Sequence, residues 1–223
     1  NAVRKHLSAI KGGGLAARLG DATVAGLLFS DVAGDDRSVI ASGPLVPDGT
    51  TYADALAVLD EYDVDAPERV ARRLREGAEG THPETPGADD PAFADVRTYV
   101  VAGGDTALSA AAETARERGY EPLVLGSRVR GEAREAAKAL VGIAESAAAT
   151  GEPVETPAVV LSGGETTVTI RGDGTGGPNQ EFALSAAVEL SGSDGGGSDE
   201  RARITVASVD TDGIDGNSTA AGA

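Results

Sequence analysis

The chain has 223 residues, 40% of them hydrophobic, which is ample for a packed core and fits one large domain or two small ones. It contains no Cys, excluding disulfides, thiolate metal sites and cysteine nucleophiles, and no apolar run approaches the roughly 18 residues of a membrane span. A formal net charge of −17 argues against a broad nucleic-acid-binding face.

In chain order, Asn1–Ile10 reads as a helix, broken at Gly12-Gly13-Gly14 and followed by a second helical piece over Leu15–Leu19. Ala22–Phe29 is short and apolar enough for a buried strand, and the loop Asp31–Asp36 follows it. Thr51 is placed to cap a helix bearing Ala55, Leu56, Leu59 and Tyr62, and Asp65-Ala66-Pro67 starts another carrying Val70 and Leu74. Glu79–Asp95 is polar, Pro-rich and acidic, and reads as a long surface loop. Thr98–Ala102 then reads as a strand, Gly103-Gly104 as a turn, Asp105–Arg118 as a helix, Leu123–Leu125 as a strand and Arg130–Ala149 as a long helix. That β-α-β order implies parallel strands with a right-handed crossover.

Composition shifts at Thr150–Pro157, which places a domain boundary near residue 155. Beyond it, Ala158–Leu161 and Thr166–Ile170 flank Ser162-Gly163-Gly164-Glu165, a spacing that predicts an antiparallel hairpin. Gln180–Leu190 reads as a helix, Ser191–Asp199 as a flexible loop and Ile204–Val209 as a strand. The expected class is α/β: a Rossmann-like parallel domain over residues 1–155, then a smaller mixed α/β domain over 156–223. A helical pattern already under way at Asn1, and a small-residue loop over Gly213–Ala223, lead us to expect a fragment of a longer chain.

The charge has a second message. Lys5, Lys11 and Lys138 are the only lysines, and an acidic, lysine-poor surface is the pattern of proteins from high-salt cytoplasm, where screening reduces self-repulsion. The alternative is an ordinary acidic protein.

Several loops carry candidate chemistry. Gly172-Asp173-Gly174-Thr175-Gly176-Gly177 matches G-x-G-x-x-G. The hairpin context and the lack of an acid at the right distance weigh against a dinucleotide site. A plain loop and a phosphate-contacting loop at a helix N-terminus both remain open for it. Asn179, Gln180 and Glu181 open the following helix, either as a polar first turn or as groups holding a polar substrate. Asp210, Asp212 and Asp215 put three carboxylates in a glycine-bearing loop, suited to Mg²⁺ or simply to a solvated turn. Asp31 follows a strand end, where α/β sheets gather ligands, and Ser42-Gly43-Pro44 is compatible with a turn offering backbone N–H groups. Asp105 fits a helix N-cap. His6 and His82 read as structural, and no P-loop pattern is present.

Taken in order, Arg4-Lys5-His6-Leu7-Ser8, Lys11-Gly12-Gly13, Ser30-Asp31-Val32 and Ile40-Ala41-Ser42-Gly43-Pro44 resemble the N-terminal domain of class II glycerate kinases. Leu161–Thr167, Gly176–Glu181 and Asp212–Gly216 resemble the MOFRL domain that follows it in that family. The resemblance implies ATP-dependent, Mg²⁺-assisted phosphorylation of D-glycerate to 2-phosphoglycerate by a cytoplasmic enzyme, in a cleft between two α/β domains. A lysine assigned to catalysis would precede Asn1. Members often carry the label hydroxypyruvate reductase, and an NAD(P)H-dependent reductase and a non-catalytic truncated remnant are the rival expectations. The family's Gly-Gly-Arg-Asn-Gln-Glu loop has Pro178 at the Arg position here, so Arg171 or another cation would have to substitute. On this resemblance Asp31, Asp212 and Asp215 are the expected catalytic acids, with Asp210 and Asp212 on the metal. Ser42, Gly43, Glu165, Gly176, Gly177, Asn179, Gln180 and Glu181 are expected on substrate or phosphate.

Overall fold

A computed structural model describes residues 1–192 and 203–223. The chain forms two compact units: residues 1–30 with 35–101, and residues 31–34 with 102–223. The composition boundary near residue 155 lies inside the second unit.

In the first unit, α1 (Ala2–Leu7) and α2 (Gly14–Leu19) precede β1 (Val24–Phe29), and α3 (Tyr52–Glu61) and α4 (Glu68–Ala78) lead to β2 (Val96–Ala102), the partner of β1. Thr51 caps α3 as expected: its hydroxyl accepts from Asp54 N while the Asp54 carboxylate accepts from Thr51 N, a reciprocal capping box. Tyr52, Ala55 and Leu74 form the core, packed on by Ala2, Val3, Leu56, Leu59 and Val70, so α1, α3 and α4 bury one apolar stripe each. Lys5 is buried and donates to the buried Asp48 at 2.9 Å. Burial pushes the Asp48 carboxyl up, but hydrogen bonds from Lys5, Thr50 and Thr85 outweigh it and leave its pKa lowered. His6 is likewise buried, between Ala2 O and the Glu84 carboxylate, which gives it the structural place expected.

In the second unit, α5 (Gly104–Glu117), β3 (Glu121–Glu132), α6 (Ala133–Thr150), β4 (Ala158–Thr167) and α7 (Pro178–Ser191) follow. The fold is mixed α/β, and β3-α6-β4 is its parallel pair. Ala137, Val141 and Ala186 join α6 to α7, with Phe182, Leu190 and Val206 packed around them.

Several expectations are corrected. The hairpin across Ser162–Glu165 is absent: β4 runs straight through it and pairs in parallel with β3, Arg130 beside Glu165. Gly163-Gly164 looked like a turn, but a Cβ on Gly164 would collide with the Val129 backbone, so this glycine permits close strand approach. β2 pairs with β1 and not with β3, so the parallel β-α-β occurs one element later than its expected place. Arg130–Glu132 belong to β3, so the long helix starts at Ala133. Gly103, not Asp105, is the N-cap of α5. Ile204–Val209 forms no strand; a single antiparallel bridge joins Val209 to Gly222. The loop expected over Ser191–Asp199 lies, from residue 193 on, outside the described residues.

Candidate functional site

The site is best built from β4. Glu165 stands near its end, and its carboxyl pKa is raised, first by desolvation and then by the negative charges of Asp31, Asp210 and Asp212. Those four acids come from three separate stretches of sequence, and all lie in the second unit, because Asp31–Gly34 belongs to it. Asp210 is raised as well: desolvation and the charges of Asp212 and Asp215 outweigh a hydrogen bond from Asp212 N. Glu165 and Asp210 are thus both desolvated and set near like charge, and carboxyls perturbed in this way are candidates for holding a cation or for acid–base work.

The loop bearing Asp210 and Asp212 is held at both ends. Asp210 N donates to Ala221 O at 2.6 Å, and Ser208 N to Ala223 O at 2.6 Å, closing residues 208–223 into a loop. Asp212 Oδ1 accepts from Ile214 N at 2.9 Å, which fixes the loop tip and leaves the carboxylate exposed.

Asp215 has a different place from the expected one. It is fully buried, its Oδ1 accepting from Asn179 N (3.0 Å) and Asn179 Nδ2 (3.2 Å) and its Oδ2 from Gln180 N (2.9 Å). The carboxylate thus occupies the N-terminus of α7, satisfying orphan amides and opposing the positive end of the helix dipole. The amides that a phosphate or a dinucleotide pyrophosphate would use are taken. Gly176 and Gly177 serve the same junction, since a Cβ on Gly177 would strike Asp215 and the Gly216 backbone. Asn179 Oδ1 accepts from Ser208 Oγ (2.6 Å), Gln180 Nε2 donates to Ser218 Oγ (2.9 Å), and Glu181 pairs with Arg134 (2.6 Å). This first turn therefore helps hold the Asp210–Asp212 loop in position, and each of the three side chains has at least one protein partner.

Ser42 and Gly43 are in the first unit, in a 3-10 turn where Ala41, Ser42 and Gly43 all have positive φ. Ser42 N donates to Val39 O and Gly43 N to Ile40 O, while the buried Ser42 hydroxyl donates to Asn1 Oδ1 at 2.9 Å. The turn binds Gly12 and Gly13 through its carbonyls, and the N–H groups of Ser42 and Gly43 are both taken within it.

Arg128 and Arg130, two residues apart on β3, were missed by the sequence reading. Arg130 Nη2 donates to Ala33 O at 3.3 Å, and the Arg128 guanidinium lies against Gly34, 3.3 Å from where a Cβ would sit. Register shifts between Val124 and Val129 re-aim this stretch, as bulges near sites commonly do. The available signal was the alternation Arg128-Val129-Arg130, which has a strand period, but Arg130 was read as the start of a helix. Arg130 is the backbone register neighbour of Glu165, and both guanidiniums lie against the Asp31–Gly34 loop, where guanidiniums can meet an anionic group.

Comparison with known families finds two matches along the chain: a domain of unknown function, DUF4147, over residues 1–75, and the MOFRL family over residues 158–223. It is 38% identical, over all of its length, to the D-glycerate 2-kinase of Thermotoga maritima, covering 49% of that protein, and 40% identical to the glycerate 2-kinase of Pyrococcus horikoshii, covering 48%. A protein of Agrobacterium vitis named "Putative hydroxypyruvate reductase" is 48% identical over the whole chain, which covers 48% of it. The crystal structure of the Thermotoga maritima glycerate kinase superposes with a TM-score of 0.70 at 37% identity, covering 99% of this chain and 49% of that one. The chain thus spans about half the length of the curated relatives it matches.

Proposed function

We propose that this chain forms part of a cytoplasmic glycerate 2-kinase that transfers the γ-phosphoryl group of ATP to D-glycerate, giving 2-phosphoglycerate. The observation that supports the reading is that Asp31, Asp210 and Asp212 act together on Glu165 at the end of β4, whose register neighbour is Arg130. In the transfer, the substrate hydroxyl oxygen bonds to the γ-phosphorus, the bond to the ADP oxygen breaks, and the hydroxyl proton leaves. Asp31 is proposed to take that proton, while Glu165, held uncharged more readily than an ordinary carboxyl, lets the others approach. Arg128 and Arg130 orient the substrate carboxylate or the transferred group and supply the cation that Pro178 does not.

Asp210 and Asp212 are the residues that would hold Mg²⁺. Their hard oxygens are of the kind Mg²⁺ takes, one or two carboxylates completed by phosphate and water. When bound, the ion neutralises charge on the phosphates. Residues 1–155 are proposed as kinase N-terminal domain and 156–223 as MOFRL domain, the latter supported by the match at residues 158–223.

Two assays on one preparation test the proposal: ADP release with D-glycerate and MgATP, and NADH loss with hydroxypyruvate. The expected result is the first activity alone. Saturable MgATP and D-glycerate binding by calorimetry without turnover would identify a binding remnant. NADH loss, or binding of neither ligand, would refute the kinase.

A further inference from the structure

A hollow lined mainly by basic side chains lies wholly within the first unit. It is a cavity of about 560 Å³ between α1, α2 and α4, lined by His6, Ser8, Arg18, Arg69 and Arg73 among others. An adjoining recess of about 260 Å³ adds Lys11 and the Glu84 carboxylate, the latter already bonded to His6 and to Tyr52 N. The volume is in the range of small-molecule sites.

Its charge is what sets it apart. The chain has 36 acidic and 19 basic residues, so cations should find partners easily. On α4 they do so selectively. Arg72 pairs with Glu76 and Arg75 with Glu68, whereas Arg69 and Arg73, four apart and on one face, turn to the cavity and pair with no carboxylate among the described residues. Arg18 lines the same cavity, likewise without an ion pair among the described residues. Two of the three guanidiniums are held in place. Arg18 Nε donates to Ala9 O at 2.9 Å, which leaves its terminal nitrogens open, and Arg73 Nη2 donates to Tyr52 OH at 3.3 Å with its carbon 5.9 Å over the Tyr52 ring. The Ser8 hydroxyl accepts from Ile10 N and Lys11 N, so its own proton is free to donate outward.

We propose that this cavity is an anion-binding site for a small phosphorylated ligand, held by Arg18, Arg69 and Arg73 and separate from the carboxylate cluster of the second unit. Three guanidinium forks match phosphate oxygens bidentately, and fixing two of them beforehand lowers the cost of binding. The proposal does not rest on the kinase reading, since no residue is shared.

Tripolyphosphate titrated into the whole chain, followed by the ring resonances of its two histidines, tests this directly. His6 lines the cavity and His82 does not, so each spectrum contains its own control. The expected result is a saturable shift of His6 alone, weakened about tenfold or more in Arg69→Gln and again in Arg18→Gln, and weakened by added KCl. Arg69 makes no hydrogen bond or ion pair among the described residues, so R69Q should keep the parent's unfolding midpoint. Parallel, non-saturating shifts of both histidines, or undiminished affinity in the double variant, would overturn the site.

Discussion

Asp215→Ala should cost this protein stability before it costs anything else. The wild-type carboxylate is fully buried and accepts three hydrogen bonds, two of them from backbone amides at the start of α7. Loss of an N-cap alone costs about 0.5–2 kcal/mol, and stranding a buried donor adds about 1–3 kcal/mol. With two amides and the Asn179 side chain left unpaired, a loss of about 3–5 kcal/mol is expected. At about 2–4 °C per kcal/mol for a chain of this size, the midpoint should fall by at least about 6 °C. Asp215→Asn keeps one acceptor but turns an N–H donor toward an amide, and should fall between the two. Urea unfolding by circular dichroism, with hydrogen exchange on α7, reads both effects. A change below about 1 kcal/mol in D215A would refute the capping role and return Asp215 to the candidate catalytic acids.

Other outcomes follow from the same structure. Lys5→Met breaks a buried pair and should destabilise by about 3–5 kcal/mol near neutral pH, measured by denaturant unfolding. Because the Asp48 pKa is lowered, its contribution is present above the ordinary aspartate value of 3.8 and is lost as pH falls through the folded value; the gap between wild type and K5M should therefore narrow in acid. A net charge of −17 predicts that the melting temperature rises steadily with KCl into the molar range; a flat response would mark an ordinary acidic protein.

The helices were legible because their signals are local: Thr51 as a cap, Asp65-Ala66-Pro67 as a start, and the apolar spacing on α3 and α4 all act within a turn or two. The strand pairing was not, since Gly163-Gly164 has the composition of a turn whether the glycines bend the chain or admit Val129 of a neighbour. The acids of the site were visible one by one, but nothing in the sequence separates Asp215, which caps a helix 36 residues upstream, from Asp212 three residues away. That distinction is tertiary. So is the placing of Asp31 with the second unit, and of Arg128 and Arg130 beside its loop.

The account stands or falls on whether the carboxylates around Glu165 take up a divalent ion together with a nucleotide. Water-proton relaxation with Mn²⁺ in place of Mg²⁺ measures this on the whole chain. We expect an enhancement that appears with ATP and is lost in Asp212→Asn, whose folding stability should change by less than about 1 kcal/mol because the side chain is exposed. Mn²⁺ uptake that ignores ATP, or that survives the Asp212 substitution unchanged, would contradict it.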